Sequence, residues 1–97
     1  MLLLLLFMVE KQIKTRPEIL IIRLRRVPFM DSTALNNLRS FVKRTLNDGV
    51  KVILSDLVES VYNSLIKSNI HLVVGPENIC ADVHAALVRA NNLLSAE

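Results

Sequence analysis

The sequence has little of what many small folds rely on. It holds one cysteine (Cys80), two glycines, three prolines, one tyrosine and no tryptophan. A single cysteine excludes an internal disulfide and a cysteine-rich zinc site, and it fits a reducing, cytoplasmic setting. So few glycines and prolines argue against disorder and against an all-β fold built on many tight turns. No apolar run approaches the roughly 20 residues that a membrane-spanning helix needs. The longest, Met1 to Val9, stops at Glu10 and Lys11. It does not read as a secretory leader, because no basic segment precedes it and no small-residue cleavage site follows. A Gly-rich phosphate loop, a nucleophile elbow and an HExxH pair are all missing, so no catalytic residues and no cofactor are expected.

What is present is aliphatic. Hydrophobic residues make up 52% of the 97 positions and aromatic ones 4%, so the core must be built from Leu, Ile and Val. The length suits one domain over residues 1–97. Charge is uneven: residues 1–51 carry ten Lys/Arg against four Asp/Glu, and residues 52–97 carry two against five. A basic half can face nucleic acid, anionic lipid or an acidic partner, or it can be an ordinary solvated surface. Nucleic acid is not expected. Arg23, Arg25 and Arg26 cluster on or after one predicted strand, but Tyr62 and three Phe give no stacking platform.

Periodicity predicts alternating helices and strands. Leu2, Leu6, Val9 and Ile13 share one helical face, so a helix is expected over 2–14, ended by Pro17. Glu18 to Leu24 is a short, nearly continuous apolar, β-branched run, as in a strand covered on both faces. Asp31 is a good N-cap, and Leu35, Leu38, Val42 and Leu46 follow at helical spacing until Asn47-Asp48-Gly49. Val50 to Leu54 reads as a second strand. Val58, Val61, Leu65 and Ile66 mark a helix that Asn69 can close in the left-handed conformation. Ile70 to Val74 reads as a third strand, and Asp82 caps a last helix through Val83, Leu87, Ala90 and Leu94. The order α-β-α-β-α-β-α implies an α/β fold with a mostly parallel sheet and right-handed crossovers.

One loop stands out: Pro28, Phe29, Met30, Asp31, Ser32, Thr33 and Ala34, ahead of Leu35. It follows a strand and opens a helix, which is where open α/β sheets bind ligands and partners. The free amides and positive dipole end of that helix suit an anion. Asp, Ser and Thr are also the ordinary residues of a helix start, so plain capping is the competing reading. Elsewhere the spacings are weak. Cys80, His84, His71 and Asp82 fall short of a zinc site, which needs four closely set ligands, and no metal is expected. Asp31 and Asp56 could meet at neighbouring strand ends, but two carboxylates without a base, nucleophile or metal do not make an enzyme.

The run Pro28-Phe29-Met30-Asp31-Ser32-Thr33-Ala34-Leu35 resembles the signature loop of STAS domains, the fold shared by sulfate transporters and anti-sigma factor antagonists. A second stretch is similar to the C-terminal third of STAS domains attached to SulP anion permeases. It comprises Ser68-Asn69-Ile70, Gly75-Pro76-Glu77-Asn78-Ile79-Cys80 and Ala85-Ala86-Leu87. Together the two cover about residues 13–95. Ala34 and Asn69 stand where the family usually has Gly. The resemblance also implies opening strands that the expected helix over 2–14 would follow, so the chain is expected to be an N-terminally truncated domain.

The resemblance implies a non-enzymatic, regulatory domain at the cytoplasmic end of a SulP-type sulfate or anion transporter of an inner or plasma membrane. Its partners would be the transporter's membrane domain, a cytosolic regulatory protein or a second copy. The loop from Pro28 to Ala34 would carry the contact. It also implies two alternatives. One is a free-standing anti-sigma factor antagonist, with Ser32 at the position that a partner kinase phosphorylates. The other is a small anion- or nucleotide-binding module, with the amides of Ser32 to Ala34 as its site.

Overall fold

The computed structural model describes the backbone of Leu5–Val9 and residues 19–95 in full. Its elements are β1 (Leu5–Val9), β2 (Ile19–Arg23), α1 (Ser32–Asn47), β3 (Lys51–Ser55), α2 (Glu59–Lys67), α3 (Ile70–Val74), β4 (Ile79–Cys80) and α4 (Val83–Ser95), with a short 3-10 turn at Pro76–Asn78. The strands form one sheet in the order β1-β2-β3-β4. β2, β3 and β4 run parallel, with Ile19 opposite Lys51 and Leu54 opposite Ile79. β1 lies antiparallel at the edge, from Leu5 opposite Arg23 to Val9 opposite Ile19.

The expected α/β fold with a mostly parallel sheet is the one observed, with two changes. Leu5–Val9 is a strand, not part of a helix. A helical stripe and a short apolar strand share the same leucines, and pairing with β2 decides between them. Residues 2–4 and 10–14 of that expected helix lie outside the described residues. The second change is at Ile70–Val74, which is helix and not strand. Ile70 and Val74 are buried four residues apart, while Leu72 between them is 64% exposed, so the run has helical rather than alternating burial. The third parallel strand is instead the two-residue Ile79–Cys80.

Alternation along the central strands splits the core in two. Leu20 and Ile22 of β2 and Val52 and Leu54 of β3 pack against Leu38 and Val42 of α1, Val61 and Leu65 of α2, and Ile70 and Val74 of α3. Ile19, Ile21 and Ile53 face the other way, onto Ala86 and Ala90 of α4. Small residues on α4 let its backbone come close to the sheet. Each fully buried aliphatic side chain contributes roughly 1.5–3 kcal/mol, so the two faces of β2 hold the domain together.

The helix ends follow their local chemistry. Asp31, extended at φ −83° and ψ 179°, accepts the Ala34 amide at 2.8 Å and so caps α1. Asp82 does the same for the Ala85 amide at 2.8 Å. Asn69 is left-handed at φ 63° ahead of α3, and Gly49 after α1 has φ 86°. Arg39 Nη2 donates to the Ser68 carbonyl at 2.7 Å and ties the end of α2 to α1.

Candidate functional site

The loop singled out from sequence lies at the carboxyl end of the sheet. β2 ends in Arg23, and Leu24 continues toward β3 by donating its amide to the Ser55 carbonyl at 3.0 Å. The chain then turns through the exposed Arg25 and Arg26, with the Val27 amide on the Leu24 carbonyl at 3.0 Å. Val27 and Met30 are buried and anchor the loop in the core. Between them Phe29 is 69% exposed, the most exposed of the large apolar side chains among the described residues. Ser60 Oγ, on the first turn of α2, donates to the Pro28 carbonyl at 2.6 Å. The Phe29 ring is thus held out from a loop fixed at both ends.

Asp31, Ser32 and Thr33 are exposed, and Ala34 is half-buried against the core. Ser32 opens α1 with its residue in solvent, where a kinase or a partner can reach it. The Ala34 amide is already occupied by the Asp31 carboxylate, which leaves a bound anion fewer donors and a negative neighbour.

A second feature lies at this end of the sheet, around Asp56. Asp56 follows β3 in the left-handed conformation, φ 62°. Its Oδ2 accepts from Arg23 Nε at 3.0 Å and from Ser55 Oγ at 2.8 Å. Its amide donates to the Cys80 carbonyl at 3.3 Å. One residue therefore joins the ends of β2, β3 and β4. A readable signal was present, a Ser-Asp pair directly after a buried apolar strand, but its Arg partner lies 33 positions earlier. The carboxylates of Asp31 and Asp56 are each engaged in hydrogen bonds that hold local structure.

The weaker constellations stay apart. Cys80 is on β4, His84 is exposed on α4, and His71 lies on α3. Among the described residues no three His, Cys, Asp or Glu side chains gather to hold a metal. Burial pushes the Cys80 thiol up, against the lowering pull of the Arg89 cation and with a smaller push from Asp82. Arg89 is itself committed, with Nε on Asn78 Oδ1 at 2.8 Å. Among the described residues no helix is long and apolar enough to cross a membrane.

The family model for STAS domains matches residues 5–86. The chain belongs to the STAS domain family. The SulP transporter STAS domain of Vibrio cholerae is 34% identical, over 89% of this chain and 67% of that one, with a TM-score of 0.79. A sulfate transporter family protein of Wolinella succinogenes is 28% identical, over 89% of this chain and 70% of that one, at TM-score 0.75. SLC26A9 shares the fold, at 21% identity and TM-score 0.73, and this STAS domain spans 12% of that chain. No curated protein matches the chain. The two bacterial relatives are thus a SulP transporter STAS domain and a sulfate transporter family protein, in agreement with the resemblance read from residues 28–35 and 68–87.

Proposed function

We propose that this chain is the regulatory, non-enzymatic STAS domain of a SulP-type anion transporter, working at the cytoplasmic side by binding the transporter's membrane domain. The observation that carries the reading is the 34% identity to a SulP transporter STAS domain over most of this chain. The Pro28–Ala34 loop supplies the contact. Its exposed Phe29 is an apolar anchor on a fixed backbone, the kind of residue that dominates small interfaces. The chain spans 67% and 70% of the two bacterial relatives. Association of two copies through β1 is part of the proposal. That strand lies at the sheet edge and carries no charge or Pro along Leu5–Val9, the features that usually block edge pairing. Light scattering tests it, and a monodisperse monomer at high concentration removes it.

The reading is tested by the neighbouring coding sequence. A multi-helix membrane frame directly upstream supports it, and an adjacent kinase with a sigma factor contradicts it. The exposed Ser32 at the start of α1 favours the second of these arrangements, a free-standing anti-sigma factor antagonist. Phosphate there adds about −1.5 to −2 charge at a helix N-terminus. Incubation with the cognate kinase followed by mass spectrometry decides it. For the anion- or nucleotide-binding alternative, calorimetry with sulfate and nucleotides is the test, and no heat at millimolar ligand removes it.

A further inference from the structure

The two ends of the sheet differ in charge. α1 starts at the loop end and finishes beside the start of β3, carrying Arg39, Lys43 and Arg44 toward that far end. It has no acidic residue from Ser32 to Asn47. α2 returns to the same end and closes with Lys67, next to the Ser68 that Arg39 binds. Lys51 opens β3 there. Among the described residues Asp48, which caps the end of α1, is the acid beside these five cations. Asp31, Asp56, Glu59, Glu77 and Asp82 lie instead toward the loop end of the sheet, where Arg23, Arg25 and Arg26 are mixed with them. Among the described residues Lys43, Arg44 and Lys67 enter no ion pair. An open hollow of about 530 Å³ is lined by Lys43, Arg44, Leu46 and Asn47, and Leu46 is 37% exposed within it.

We infer that this end of the domain is a docking surface for anionic lipid headgroups. Cations without a protein partner are free to meet phosphate oxygens without giving up an existing pair. A hollow that joins two of them to an exposed leucine suits a phosphate attached to an apolar body better than a bare anion. The choice of a lipid surface over an acidic protein rests on the transporter reading, which keeps the domain within reach of a bilayer. The proposed partner contact at Pro28–Ala34 is at the opposite end of α1 and shares no residue with this surface.

The test is sedimentation of the full chain with phosphatidylcholine vesicles, with and without phosphatidylglycerol. Binding is expected only with phosphatidylglycerol, and it weakens as salt is raised. The triple variant K43Q/R44Q/K67Q should bind about 100-fold more weakly, since each cation near such a surface contributes roughly fivefold. R25Q/R26Q, altered at the other end, should bind as the parent does. All three sites in the triple variant are exposed, and an unchanged thermal midpoint verifies its fold. No binding to anionic vesicles, or equal binding by the triple variant, overturns the inference. So does capture by polyglutamate without vesicle binding, which assigns the surface to an acidic protein, or displacement by millimolar inorganic phosphate, which assigns it to a free anion. Failure of the transporter reading registers separately, as vesicle binding that persists without any affinity for the membrane domain.

Discussion

Replacing Asp56 tests how the loop end of the sheet is held. The Arg23 and Asp56 side chains are only 13% and 15% exposed, and their contact is 3.0 Å. Breaking a fully buried ion pair by removing one partner costs roughly 3–5 kcal/mol. Here the residual exposure and the further interaction that Arg23 makes bring the loss to about 2–3 kcal/mol. The fully buried Ser55 hydroxyl also loses its acceptor, which is part of that loss. Ala at φ 62° adds about 1–2 kcal/mol, because only Gly, Asn and Asp adopt the left-handed region readily. Asp56→Ala should therefore cost about 4 kcal/mol, Asp56→Gly about 3 and Asp56→Asn about 2. Urea denaturation with an unchanged slope measures all three. A drop of 4 kcal/mol is a large share of the stability of a small domain, so the Asn variant provides the reading if the Ala variant does not fold. Losses under about 0.5 kcal/mol for all three, or Ala no worse than Asn, would refute the account of this clamp.

Other outcomes follow from the same geometry. Asp31→Ala removes the cap of α1 and should cost about 1 kcal/mol in urea denaturation, with Asp31→Asn close to neutral. Ala90→Leu forces a larger side chain between α4 and Ile19, Ile21 and Ile53, and should cost about 1–3 kcal/mol, seen as a lower thermal midpoint. Cys80 should react with iodoacetamide more slowly in the folded domain than in urea, because burial raises its pKa. By linkage its neutral thiol favours the folded state below the ordinary thiol pKa, and that contribution is lost as pH rises through the folded value. Equal alkylation rates in the two states would contradict this.

Most of the architecture was legible because it is local. β2 and β3 are continuous β-branched runs, α1 and α2 carry apolar residues at helical spacing, and Asp31, Gly49, Asn69 and Asp82 punctuate them as their side chains require. The failures fell where a run is too short for its period to speak. The five residues Ile70–Val74, four of them apolar, fit either a strand or one turn of helix, and tertiary burial of Ile70 and Val74 chose the helix. Leu5–Val9 was ambiguous in the same way, and pairing with β2 resolved it. Ile79–Cys80 is a strand only because Ser55 and Leu54 offer it an edge. At the site, the loop from Pro28 to Ala34 was readable because one contiguous segment carries it. The Arg23–Asp56 clamp and the Ser60 bond to Pro28 were not, since each joins residues more than 30 positions apart.

The central claim is that this domain meets a SulP membrane domain through Phe29 and its loop. Its most direct test is the affinity of the chain for the purified membrane domain encoded with it, compared with that of Phe29→Asp. An apolar anchor that becomes buried on binding contributes about 2 kcal/mol or more, so the variant should bind at least ~30-fold more weakly while its thermal midpoint stays unchanged. No measurable affinity for the membrane domain, or equal affinity for the parent and Phe29→Asp, would contradict the account.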